Sequence, residues 1–226
     1  MRTSYMNENR SAYIDNYEKV CETWREIYQK MDKKELAERF QLEMDDKALY
    51  IDFFSEKFRL DHESGMITSV EEPDRVLGFN TIMCIYHLFY YSKKNAKLKG
   101  DFVPYRQVKR GAPFAPAFEK TVVKPFAKVF DGHLEAFIKA GEVLEGKPIK
   151  QGDAGFILPA FENIPVMVVF WDGDDEFAAQ ANILFDADIT DFFHEETVVC
   201  IGSEAVSRMT QASGLGKAKD LLGDEY

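Results

Sequence analysis

The chain has 226 residues, a net charge of −11 and 46% hydrophobic residues. That length supplies a core without disulfide or metal staples, and the composition excludes intrinsic disorder as the main state. The acidic balance argues against nucleic acid or an anionic membrane as partner of the whole chain. The N-terminus, Met1-Arg2-Thr3-Ser4-Tyr5-Met6-Asn7-Glu8, lacks the apolar core of a secretory signal. Cys21, Cys84 and Cys200 are sparse and unpaired in spacing, as expected of reduced thiols in a cytoplasmic protein.

In chain order, Tyr13, Tyr17, Val20, Trp24, Ile27, Tyr28 and Met31 recur every three or four residues and predict an amphipathic helix. A short helix is expected over 33–40. The period then changes, and segments 48–54, 58–61 and 66–68 read as an antiparallel meander turning at His62-Glu63-Ser64-Gly65. The apolar run 76–91 is too short for a membrane span, so it predicts a buried helix over 74–92 with Asp74 at its positive end. Glycines and prolines make 100–116 a loop. Phe118, Val122, Phe126 and Val129 predict a helix that Pro125 kinks or restarts. A further helix spans 134–144. Strands follow at 154–158, at 164–171, as an apolar run buried on both faces, and at 177–185 after the turn Asp172-Gly173-Asp174-Asp175. Helices over 188–194 and 196–210 precede a fraying tail from Ser213. The expectation is an α+β fold: small antiparallel sheet elements packed with several helices. It divides into an N-terminal helical extension (1–44), a single domain (45–212) and a flexible tail (213–226).

Several ordered patterns resemble one uncharacterised prokaryotic family, domain of unknown function 3786. They are Phe102-Val103-Pro104-Tyr105-Arg106, Phe114-Ala115-Pro116-Ala117-Phe118 and Lys124-Pro125-Phe126-Ala127. Trp171-Asp172-Gly173-Asp174-Asp175-Glu176-Phe177 is the most specific, with Leu184-Phe185-Asp186 and Glu195-Glu196 downstream. The resemblance spans roughly 45–210. It implies an anaerobic setting and, in some members, an N-terminal four-cysteine iron–sulfur module like that of corrinoid iron–sulfur proteins. This chain departs from that pattern with Cys21 alone, so no cluster is expected, and it has Ala178-Ala179 where the family has Pro after Glu-Phe.

Among candidate sites, Asp172, Asp174, Asp175 and Glu176 crowd carboxylates that could bind a hard cation or raise one pKa into a general acid. The plainer reading is a solvated hairpin turn. Trp171 and Phe177 would wall a planar ligand or pack in the core. Between Lys93 and Phe130 ten basic residues face only Asp101 and Glu119, a local charge of +8 against −19 elsewhere. That stretch, Arg106 included, would steer an anionic ligand, dock an acidic partner or bind the chain's own acidic half. Of the histidines, His194 beside Glu195 and Glu196 is the one expected to join the acidic turn in space. Neither Gly-x-x-x-x-Gly-Lys nor His-Glu-x-x-His nor Gly-x-Ser-x-Gly occurs. The leading expectation is a non-catalytic ligand-binding or accessory domain of anaerobic metabolism. A small enzyme working through the acidic turn and a protein–protein interaction module are the alternatives. No metal or cofactor is assigned.

Overall fold

The structure, a computed structural model, describes residues 2–216, with side chains from Asn16 onward; Tyr13's side chain and residues 217–226 of the expected tail fall outside these. Helix α1 (Arg2–Gln29) is followed by α2 (Lys33–Phe40), whose cap Asp32 accepts from the amides of Lys34 and Glu35. Strands β1 (Glu43–Met44), β2 (Ala48–Phe53), β3 (Glu56–Asp61) and β4 (Ile67–Ser69) form the expected antiparallel meander. Strict alternation of burial along β3 reflects a sheet with one face in the core.

The β2–β3 turn contains only Phe54 and Ser55, both left-handed at φ 48° and 60°. A two-residue hairpin turn of this hand normally selects Asn-Gly. Here tertiary contacts hold it. The Phe54 amide donates to the Ala160 carbonyl at 3.0 Å, and the Ser55 hydroxyl donates to that of Leu144 at 3.2 Å. The Phe53 ring meets Phe161 at 4.6 Å. This turn, with Phe54 buried, therefore docks the first sheet onto the second.

Helix α3 (Phe79–Tyr91) begins five residues later than the sequence pattern suggests, and Asp74 is not in its first turn. The physical reason is local. The Glu72 amide donates to Ser69 Oγ, and Arg75 pairs with Glu56 and Glu72, so residues 70–77 stay tied to the end of β4. The predicted loop 100–116 contains β5 (Phe102–Pro104) and a 3₁₀ turn (Tyr105–Gln107). Helix α4 (Ala115–Phe118) passes through a π-helical turn (Glu119–Val123) into α5 (Lys124–Phe130). Pro125 lies at the start of α5, where its missing N–H is absorbed by the change of helical pitch.

Helix α6 (Leu134–Val143) leads to β6 (Lys147–Pro148), β7 (Ala154–Phe161), β8 (Ile164–Trp171) and β9 (Gln180–Asp186). The second sheet has the order β5-β9-β8-β7-β6, antiparallel throughout. Strand β8 alternates at its start and is buried on consecutive positions only from Val168 to Phe170. Strand β9 starts later than expected because Asp174 draws the amides of Glu176 and Phe177 into a local turn. The expected helix over 188–194 is reduced to a 3₁₀ turn (Ile189–Asp191), since His194 is extended and caps the next helix. That helix, α7 (Glu195–Ser213), packs against α3, α6 and β7 and ends on left-handed Gly214. At Gly202 a Cβ would lie 2.7 Å from the Phe118 ring, so the α7 backbone approaches α4 as only glycine permits. The fold is α+β, and one continuous apolar cluster joins both sheets and the helices.

Candidate functional site

In the acidic turn, Asp174 Oδ1 accepts from the amides of Glu176 at 2.8 Å and Phe177 at 2.7 Å. Asp172 Oδ1 accepts from Gly132 N at 2.7 Å, and Asp153 accepts from Asp172 N at 2.8 Å. The backbone N–H groups of Phe177 and Glu176 hold the Asp174 carboxyl below its ordinary pKa. This is opposite to the shift that crowded carboxylates would give a general acid. A Cβ at Gly173 would lie against the Asp131 carboxylate and 3.0 Å from the Ala179 amide nitrogen, so the turn packs closely there. Two of the turn's carboxylates, Asp172 and Asp174, thus organise backbone. Trp171 and Phe177 are 37% and 65% exposed, so neither packs in the core as the plainer reading had it. Among the described residues no group of three or more His, Cys, Asp or Glu side chains could hold a metal ion.

His194 lies elsewhere in the contact network. Its ring meets Tyr91 at 5.7 Å, its Nε2 is 3.6 Å from Glu195, and its Nδ1 accepts from the Glu196 amide. No contact among the described residues links it to residues 172–177. Burial, with the nearby His194 charge, pushes His87 down to about 4, and its Nδ1 shares a hydrogen bond with Thr197 Oγ1 at 2.7 Å. The three cysteines are free thiols. Burial holds Cys84 well above the usual thiol range and pushes Cys200 up to about 12, so both stay protonated and unreactive.

The basic stretch divides. Lys93 pairs with Asp191, Lys99 with Asp188 at 3.1 Å, and Arg110 with Glu195 at 3.2 Å, so part of it does bind the chain's own acidic residues. Arg106, Lys94 and Lys97 are exposed and make no ion pair among the described residues. Lys94 and Lys97 lie on a strap, residues 92–101, that runs from the end of α3 to β5. Its ends are pinned. The Lys93 amide donates to the Asp191 carbonyl at 2.9 Å, and fully buried Asp186 accepts from Lys99 N at 3.2 Å and Gly100 N at 2.6 Å.

Beneath the strap is a cavity of about 650 Å³. Leu42, Ile51, Leu98, Phe161 and Phe192 give it an apolar floor drawn from both sheets and the strap. Arg39 of α2 and Lys94 and Lys97 of the strap line it, as do Glu43, Asp52 and Lys57 of the first sheet and Glu162 of the β7–β8 turn. Arg39 donates to the Ser92 carbonyl, and its guanidinium sits 4.9 Å from the Phe40 ring centroid. The lining thus combines apolar side chains with charged ones of both signs, a form that suits a small ligand with an apolar body and a charged end. Sequence reading found the strap lysines through their charge but missed Arg39, Phe161 and Phe192. These are scattered along the chain, and only the docking of the two sheets brings them together.

The order of motifs, the two sheets and the strap are features of the region that a family model matches over residues 32–208, described as a domain of unknown function (DUF3786). The chain belongs to that family. The DUF3786 match begins at the cap of α2, so α2 falls within it and α1 precedes it. Within the matched region several of the residues that carried the resemblance have structural duties: Asp186 anchors the strap, Asp172 and Asp174 shape the β8–β9 turn, and the Tyr105 hydroxyl donates to the Glu195 carbonyl at 2.9 Å. No curated protein and no solved structure matches the chain. No helix among the described residues is long and apolar enough to cross a membrane.

Proposed function

We propose that this DUF3786 protein is a non-catalytic small-molecule-binding domain whose ligand occupies the cavity beneath the strap, not the acidic turn. The observation that carries this reading is the cavity itself, about 650 Å³ with an apolar floor and uncompensated strap-side cations. Its volume lies within the range of ordinary ligand pockets, ~300–1,000 Å³. The cavity is favoured over the acidic turn because the carboxylates of Asp172 and Asp174 already cap backbone amides. A cytoplasmic location fits three free thiols. The link to corrinoid or iron–sulfur proteins stays an implication of the family.

The test is native mass spectrometry of the anaerobically purified protein after incubation with a mixture of small organic metabolites. Wild type should retain extra mass that is lost on denaturation. Ala96→Trp, which places an indole in the cavity from the strap, should return the bare chain mass with unchanged circular dichroism. A bare mass for both proteins, or the same adduct on both, contradicts the reading.

A further inference from the structure

We propose that the cavity's ligand is an organic monocarboxylate with an apolar body, its head group held by Arg39, Lys94 and Lys97. This rests on the reading of the cavity as a binding site. It adds which end of the ligand goes where, and why a single negative charge is preferred.

The charges around the mouth are segregated. On the strap side Lys93 is already neutralised by Asp191, but Lys94 and Lys97 carry neither an ion pair nor a hydrogen bond among the described residues. Both lie between the strap's pinned ends, Lys93 and Lys99–Gly100, so their backbone positions are bounded while their side chains stay free. Arg39 spends one guanidinium donor on the Ser92 carbonyl and lies against Phe40. The remaining donors of that fork match the geometry of a carboxylate. One oriented guanidinium with two mobile ammonium groups is therefore a receptor for an anionic head.

The lining from the first sheet and the β7–β8 turn has the other sign. Glu43 and Asp52 share the ammonium of Lys57, at 3.4 and 3.9 Å, and Glu162 has no ion pair among the described residues. A second carboxylate on the ligand that reached these groups would be repelled. Leu42, Ile51, Leu98, Phe161 and Phe192 supply the apolar part of the lining, which gains from covering by hydrocarbon.

The experiment is isothermal titration calorimetry of the full chain with octanoate, octanol and octanedioate, which share an apolar body and differ in charge. Wild type should bind octanoate at least tenfold more tightly than either of the others. Lys94→Gln with Lys97→Gln should weaken octanoate at least threefold and leave octanol unchanged. Ala96→Trp should abolish binding of all three. Equal affinities in wild type, all lost in Ala96→Trp, would overturn the charge assignment and keep the cavity as a site. An octanoate affinity undiminished in the double lysine variant would also overturn it, since Lys94 and Lys97 would then take no part in holding the head group. No binding of any of the three to wild type would overturn both readings together.

Discussion

Lowering the pH from 7 to 5 should destabilise the fold through His87. The ring packs against Trp24 at 4.3 Å and Tyr91 at 5.1 Å, its Nδ1 is taken by Thr197, and its Nε2 is buried without a partner. A second proton on the ring would be a buried charge with an Nε2–H that nothing among the described residues accepts, and the neighbouring His194 charge opposes it further. The folded-state pKa is accordingly depressed from 6.5 to about 4. Between those values the unfolded chain binds the proton and the folded chain does not, so stability falls as pH falls. The linkage amounts to about 2 kcal/mol by pH 5, approaching about 3 kcal/mol below pH 4. For a chain of this size that corresponds to a loss of ~4–8 °C in Tm at pH 5. The assay is thermal unfolding followed by circular dichroism at pH 7 and pH 5 for wild type and His87→Gln. The variant will have its own stability at pH 7, but its pH 7-to-5 difference should be smaller by about 2 kcal/mol. Equal pH dependence in the two proteins would refute the assignment.

Removing the Glu56 carboxylate as Glu56→Gln should cost ~1–3 kcal/mol in urea unfolding, because the largely buried Arg208 would keep only its 3.5 Å pairing with Glu204. A milder loss is expected when Glu56→Gln is combined with Arg208→Met. Asp186→Ala leaves the amides of Lys99, Gly100 and Asp188 without their acceptor, so hydrogen exchange in residues 94–101 should accelerate and stability should fall by at least ~2 kcal/mol. Gly202→Ala should cost ~1–3 kcal/mol by pushing α7 against Phe118. Asp175→Ala with Glu176→Ala should leave both folding and cavity binding unchanged within ~0.5 kcal/mol, whereas a large loss of binding would return the site to the acidic turn.

Periodicity made α1, α6, α7 and the β2–β4 meander legible, because each buries one face and repeats its apolar residues accordingly. It failed where side chains compete with the ladder or helix. Arg75 delays α3, Asp174 shortens β9, and His194 cuts the helix expected over 188–194. These are polar contacts between residues near a boundary, and hydrophobic spacing does not encode them. The candidate site was half legible. Lys94 and Lys97 stood out in the basic stretch, but their partner Arg39 lies more than fifty residues upstream on a different element. Nothing local marks Phe54 and Ser55 as the turn that brings the sheets together, since left-handed Phe and Ser run against turn propensity and are held by contacts to Ala160 and Leu144.

Methyl-resolved NMR of the isotope-labelled chain titrated with octanoate tests the location of the site most directly. The account predicts that the largest shifts fall on Leu42, Ile51, Leu98 and Ile164, which line the cavity from β2, β8, the strap and the segment before β1. Shifts centred instead on Ala178, Ala179 and Ala181 beside the acidic turn, or spread without a focus, would contradict it.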